Sequence, residues 1–195
     1  GFYPVIMDQI KKGGVGTSLG MFMTGGLGVA TGDYLKLIQV LVDLELQIFR
    51  DVPVRAVFLH NVVVDLLLAL EIDGVLKFYA DHLAKRGIRP GFGSLNLPLL
   101  VERLRAEGVE NAAIMTSVNP GGFFMNPSRE ACEAVLQDGS LDVMAMSILA
   151  SGAIPAEEAF PYAASFPAVK SFLFGSSRVE TLERSLAILR RLEPA

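Results

Sequence analysis

A glycine–serine loop near the C-terminus carries the clearest ligand-binding chemistry in the sequence. Gly175, Ser176 and Ser177 follow an apolar segment and precede a helical pattern that begins at Arg178. Backbone N–H groups, two hydroxyls and a helix N-terminus together favour an anion such as phosphate, and the Arg178 guanidinium would add positive charge. Ser177 with Glu180 also forms a capping-box pattern that needs no ligand. Capping would still leave Ser176 and the loop amides for an anion.

His60 is the candidate catalytic residue. It closes an apolar run, Ala56-Val57-Phe58-Leu59, and is followed by Asn61. An imidazole near neutral pH can act as a general acid, or as a neutral hydrogen-bond donor to a carbonyl group. The alternative is a histidine packed at the end of a strand and hydrogen-bonded to the backbone.

The remaining candidates for metal binding or nucleophilic catalysis are few. Cys132 lies between Glu130 and Glu133 in a helical pattern, and acidic neighbours raise the pKa of a thiol, so we predict a structural role. His82 lies within another helical pattern and is expected to fill space at the surface or between helices. Because these side chains show no ligand spacing, we predict no metal site.

Apolar segments of strand length alternate with helical segments from Asp33 onward. Asn119 and Ser147 are polar residues at the ends of two such segments, where parallel α/β proteins bind ligands, so we predict that they contact a cofactor. The predicted strands are 19–24, 54–59, 90–94, 112–118, 142–148 and 169–174, and the predicted helices are 33–50, 72–86, 97–107, 127–136, 155–165 and 178–192.

This alternation predicts an α/β fold whose parallel strands are covered by helices. A closed (β/α)8 barrel, the TIM barrel, has eight strands and typically about 250 residues. The six strands counted here therefore suggest a barrel with its first strands lost or hidden. An open parallel sheet is the alternative, although no G-x-G-x-x-G follows a first strand. We predict one domain over residues 1–195, with a glycine-rich segment at 1–32 and regular βα units at 33–195.

Composition excludes several classes of protein. With 51% hydrophobic and 19% charged residues, the chain is not globally disordered. Its net charge of −4 gives no basic surface for nucleic acid. Residues 13–32 carry no charge, but eight glycines leave too little apolar content for a membrane span. A single cysteine suits a reducing compartment, so we expect a cytoplasmic protein.

Several short motifs resemble the aldo-keto reductase superfamily. Residues 145–152, A-M-S-I-L-A-S-G, resemble the family's A-Y-S-P-L-x-x-G, and residues 175–182, G-S-S-R-V-E-T-L, resemble its G-S-S-x-x-E-H-L. Residues 91–104 loosely follow its G-x-S-N-F outline, and His60 falls where the family has a catalytic histidine. From Gly32 to the C-terminus, this resemblance implies a (β/α)8 barrel, NADPH-dependent carbonyl reduction and NADP as the cofactor.

The sequence departs from the family at most catalytic and cofactor positions. Gly25 stands where the resemblance implies a lysine, Met146 where it implies the tyrosine that stacks on nicotinamide, and Met115 where it implies a glutamine. The family's Ser-Asn and Glu-Asn pairs correspond to Gly93-Ser94 and Arg184-Ser185. Because His60 would lack the coupled tyrosine and lysine, we predict little standard carbonyl reductase activity.

Two functions stay open at this point. The first is a divergent barrel that binds a phosphorylated small molecule or a nucleotide such as NADP and, if it is an enzyme, resembles an oxidoreductase. The second is a catalytically silent barrel used for binding or assembly. Six strands leave sheet edges that the N-terminal segment or another copy must cover, so we expect a homo-oligomer.

Overall fold

A computed structural model describes residues 34–176 and 178–192. Helices and short strands alternate in this part, except that two helices follow the first strand. Its elements are α1 (Tyr34–Ile48), β1 (Ala56–Leu59), α2 (Asn61–Ala69), α3 (Val75–Ala84), β2 (Arg89–Gly93), α4 (Leu97–Ala106), β3 (Ala113–Ser117), α5 (Arg129–Leu136), β4 (Asp142–Met146), a 3₁₀ turn (Ala150–Gly152), α6 (Ala156–Ala164), β5 (Val169–Phe172) and α7 (Val179–Leu192).

The five described strands form one parallel sheet in the order β1-β2-β3-β4-β5. The prediction of an α/β fold with parallel strands is therefore confirmed for the five predicted strands that lie within the described residues. The strand order does not reverse, as it does in doubly wound sheets, and the described strands do not close into a barrel. The predicted strand at 19–24 lies outside the described residues.

Side chains alternate between the two faces of the sheet, and the difference in burial between the faces is clearest along β4, where Val143 and Ala145 are buried and Met144 and Met146 are half-buried. Phe92, Ile114, Val143 and Ala145 lie on the face that joins the hydrophobic core with the helices. A right-handed connection to the next neighbouring strand places each crossover helix on the same face, which agrees with this burial. We call the opposite face the inner face. It carries half-buried apolar side chains, namely Phe58, Met115, Met144 and Met146.

Glycine allows close packing on the inner face. A Cβ atom at Gly91 would lie 2.5 Å from the Phe58 ring, so that ring occupies the space that a side chain at Gly91 would need. The parallel register pairs Phe58 with Gly91. The bulky ring of the edge strand therefore packs across the backbone of its neighbour.

Two local predictions were wrong. α2 was not predicted, because its run Asn61-Val-Val-Val-Asp-Leu-Leu-Leu-Ala is apolar on nearly all sides and lacks helical periodicity. The helix predicted from Pro127 begins instead at Arg129, since Ser128 is its N-cap and accepts a hydrogen bond from Ala131 N. The Asn126–Pro127 peptide bond is cis.

A buried polar cluster holds α1 against α3. Asp43 Oδ1 lies 2.7 Å from His82 Nε2 and accepts a hydrogen bond from an Arg86 guanidinium nitrogen at 2.8 Å. The side chains of Asp43 and His82 are only 15% and 9% exposed. His82 therefore joins two helices, as its position in the sequence indicated.

None of the helices in the described part of the chain combines the length and the apolar character needed to cross a lipid bilayer.

The contacts of Asp43 lead to a prediction about the stability of the fold. Asp43→Ala leaves His82 and Arg86 without their shared acceptor, and we expect the free energy of unfolding to fall by about 2 kcal/mol in urea titrations. Asp51→Ala is the control, because the Arg50–Asp51 pair is exposed and such pairs contribute about 0–1 kcal/mol. Equal losses in the two variants would contradict the assigned role of Asp43.

Candidate anion-binding site

A cleft of about 620 Å³ lies at the C-terminal ends of β4 and β5. Ser147, Ser151 and Gly175 supply its polar lining, and Met146 and Leu173 are among its apolar residues. Ligands of parallel α/β proteins bind at this end of the strands. The structure thus brings together two predicted site residues, Ser147 and Gly175, that are 28 positions apart in the sequence.

The loop after β4 has an unusual backbone. Ser147, Ala150 and Ser151 have φ values of 52°, 45° and 59°, in the left-handed region that non-glycine residues rarely occupy. Hydrogen bonds from Ala150 N to Ser147 O and from Gly152 N to Leu149 O close the loop. Strained residues of this kind concentrate at functional sites.

The glycine–serine loop borders the same cleft, but its polar groups are used differently from the prediction. Ser176 Oγ accepts a hydrogen bond from Arg178 N and donates one to Arg178 O, so the hydroxyl predicted to bind the anion instead shapes its own loop. Ser177 lies outside the described residues. The Arg178 side chain is exposed and has no hydrogen-bond or ion-pair partner within residues 34–176 and 178–192.

Asn119 is fully buried and does not reach the cleft. Its Nδ2 atom donates hydrogen bonds to Phe123 O at 2.9 Å and to Ser147 O at 3.3 Å, and its Oδ1 atom accepts one from Phe123 N at 2.8 Å. All of its side-chain polar atoms therefore have partners inside the protein. The geometry supports a positioning role, because Asn119 ties the loop after β3 to the strained loop after β4.

His60 lies away from the cleft. It is exposed, and its Nδ1 atom accepts a hydrogen bond from Val62 N, which makes it the N-cap of α2. Because His60 follows β1 and the cleft belongs to β4 and β5, about three to four strand spacings, or about 14–19 Å along the sheet, separate them. In the described chain, none of the other predicted site residues is brought beside His60.

The end of β2 is occupied by a hydrogen-bond network that sequence analysis missed. Asp65 accepts hydrogen bonds from Ser94 Oγ at 2.5 Å and from Leu95 N at 3.1 Å. Ser94 Oγ also accepts from Asn96 N, and Asn96 caps α4 through Leu99 N. No sequence signal pointed to Asp65, because it belongs to the helix that was not predicted.

Cys132 is buried, and its Sγ atom donates to Asn126 O at 3.2 Å. Burial raises the pKa of the Cys132 thiol to about 11, and the nearby Glu133 carboxylate raises it further. The predicted direction thus agrees with the structure, but burial and not the acidic neighbours is the main cause. Within the residues that the structure describes, no three His, Cys, Asp or Glu side chains are grouped to hold a metal ion.

Comparison with known proteins gives no relative: no family model, no curated protein and no solved structure matches this chain.

The Asn119 contacts predict a loss of stability when its amide is removed. Asn119→Ala breaks three hydrogen bonds and leaves Phe123 N and Phe123 O without their partner, while Ser147 O keeps the bond from Ala150 N. We therefore expect the free energy of unfolding to fall by about 2–3 kcal/mol in urea titrations. Asn119→Asp should also destabilise, since a buried carboxylate would face the carbonyls of Phe123 and Ser147. A stable Asn119→Ala variant with weakened phosphate binding would instead indicate direct ligand contact.

Proposed function

We propose that this protein binds a phosphorylated small molecule in the cleft between the ends of β4 and β5. The proposal rests on one observation, which is that several polar groups around one cleft make no hydrogen bonds to the described residues. The hydroxyls of Ser147 and Ser151 and the Gly175 amide have no hydrogen-bond partner in the described part of the chain. Met146 and Leu173 supply apolar surface. Arg178 is not part of the cleft lining, but it follows the lining residue Gly175 by three positions and adds an exposed positive charge to the same loop.

A phosphate group suits these residues better than other anions of small molecules do. Gly175 and Gly152 line the cleft. Because glycine has no side chain, its backbone N–H groups can approach phosphate oxygens closely. Helix α7 begins at Val179, directly after the loop, and its positive end favours negative charge. Guanidinium groups pair with phosphate through two parallel hydrogen bonds.

The nicotinamide half of NADPH does not fit the groups present. Met146 replaces the aromatic ring that the resemblance implies, Ser94 Oγ is bonded to Asp65, and the Asn119 amide is used internally. Ser185, at a position where the resemblance implies adenine contact, donates instead to Thr181 O. We therefore propose NADP only as a source of phosphate contacts, and derive no hydride transfer from this site.

Standard carbonyl reduction is not part of the proposed function. A general acid must lie within hydrogen-bond reach of the substrate, directly or through one water molecule. His60 lies several strands from the cleft and caps α2. A barrel that closes through further strands would still leave the ring nitrogen Nδ1 engaged with Val62 N.

Exposed apolar residues favour a second candidate function, which is binding or assembly through the β1 side of the sheet. Val62 and Leu66 on α2 are 65% and 56% exposed, and Leu70, just after the helix, is 60% exposed. β1 is an edge of the described sheet. A strand edge that has no partner strand among the described residues, beside exposed apolar side chains, is a surface that proteins normally cover.

Phosphate binding depends, in this proposal, on the charge of Arg178. We expect Arg178→Gln to weaken the binding of inorganic phosphate and of NADPH by about 3–10-fold in calorimetric titrations, the loss of one partly exposed charge-assisted contact. The matched control is Arg190→Gln, which removes the same charge near the other end of α7.

Gly175→Val provides a second test. A Cβ atom at Gly175 meets nothing within 4 Å, so the fold tolerates a side chain there while the cleft loses open backbone. We expect unchanged thermal stability and weaker phosphate binding.

Failure of the wild-type chain to bind phosphate or NADPH at millimolar concentration would overturn the proposed function. Equal effects of Arg178→Gln and Arg190→Gln on phosphate binding would overturn it as well.

The assembly candidate predicts a concentration-dependent oligomer. We expect light scattering to give a mass above that of the 21.0 kDa chain, and the double variant Val62→Glu, Leu66→Glu to shift the equilibrium towards monomer. Leu186→Glu, which adds charge on α7 at the other side of the sheet, should leave the mass unchanged. A monomeric wild-type chain at all concentrations would refute assembly between copies.

A further inference from the structure

Ser117 carries a buried hydroxyl group that has no hydrogen-bond partner among the described residues. The residue is only 1% exposed, and its Oγ atom makes no hydrogen bond within residues 34–176 and 178–192. Buried hydroxyl groups are normally hydrogen-bonded, and an unpaired one calls for an explanation. Ser117 is the last residue of β3, so this polar atom lies at the same end of the sheet as the proposed phosphate site.

The strand register places Ser117 beside the cleft. Alternation along β3 puts Ser117 on the inner face with Met115, and the register pairs it with Met146 on β4. Met146 also lines the cleft. One flexible thioether side chain is therefore the neighbour of both the unpaired hydroxyl and the cleft, and methionine adapts its conformation readily.

We infer that Ser117 is a second polar anchor of the ligand that binds at the β4–β5 cleft. In this arrangement the phosphate lies against Gly175 and Arg178, the apolar body of the ligand lies on Met146 and Leu173, and Met146 turns aside to expose Ser117 Oγ. A hydroxyl or carbonyl group of the ligand then completes the missing hydrogen bond. This inference rests on the proposed phosphate binding and adds the class of ligand.

The distance between the two anchors sets the size of that ligand. Ser117 and Gly175 are two strand spacings apart across the sheet and about two residues apart along it, which gives about 12 Å. With a hydrogen bond of about 3 Å at each end, the two polar groups of the ligand lie about 6–9 Å apart. The site therefore fits a phosphate monoester with about five carbon atoms between the phosphate and a terminal hydroxyl.

Two synthetic esters that differ in one oxygen atom test this inference. We expect 5-hydroxypentyl phosphate to bind the wild-type protein about fivefold more tightly than pentyl phosphate in calorimetric titrations, the effect of one net hydrogen bond. Ser117→Ala should abolish this difference by weakening only the hydroxylated ester. Because the hydroxyl has no partner to lose, the melting temperature of Ser117→Ala should stay the same or rise.

Ser171→Ala is the matched control, because Ser171 is paired with Met144 in the neighbouring row of the sheet, and this variant should keep the fivefold difference. Equal affinity of the wild-type protein for the two esters would overturn the inference while leaving the proposed phosphate site intact. A lower melting temperature of Ser117→Ala with the difference retained would also overturn it, since the hydroxyl would then serve the fold. If neither ester nor inorganic phosphate binds, the proposed function itself fails.

Discussion

Every feature of this structure depends on the parallel register that pairs five strands in sequence order. The register aligns Phe92, Ile114 and Val143 in one row on the helix-covered face, where all three are buried. Side chains alternate between faces with a period of two residues, so a slip by one residue would exchange buried apolar residues with the inner-face methionines. The hydrophobic core fixes the register, and the register in turn decides which residues meet at the ends of the strands.

Hydrogen bonds then determine which strand ends can bind a ligand. At the end of β1, His60 caps α2; at β2, Asp65 and Ser94 bind each other and the backbone; at β3, Asn119 uses its whole amide group. These polar groups hold connections between loops and helices in place. The ends of β4 and β5 differ, because Ser147 and Ser151 keep hydroxyls that no other described residue binds.

Sequence analysis predicted the periodic parts of this structure and failed where periodicity is absent. The five described strands and their parallel pairing follow from apolar runs such as 112–118, since buried strands and amphipathic helices leave different patterns. α2 has apolar residues on nearly all sides and gave no such pattern. The chemical roles were harder to predict, because the same serine or histidine can bind a ligand or the backbone. Ser176 and His60 bind the backbone, and only the folded structure distinguishes these outcomes.

The strained loop after β4 gives a physical reason for a site at this particular strand end. Three non-glycine residues in the left-handed region cost about 1–3 kcal/mol each, and Asn119 supports the loop by donating a hydrogen bond from Nδ2 to Ser147 O. The buried Asn119 amide, whose polar atoms all have partners, thus stabilises a strained loop whose own hydroxyls have no partner among the described residues. Here the fold stabilises an unfavourable backbone conformation and leaves nearby polar groups without hydrogen bonds. This combination is expected where a ligand supplies the missing hydrogen bonds. The same reasoning applies to Ser117, which pairs with Met146, the residue before Ser147. The Ser117 hydroxyl is buried and has no hydrogen-bond partner among the described residues.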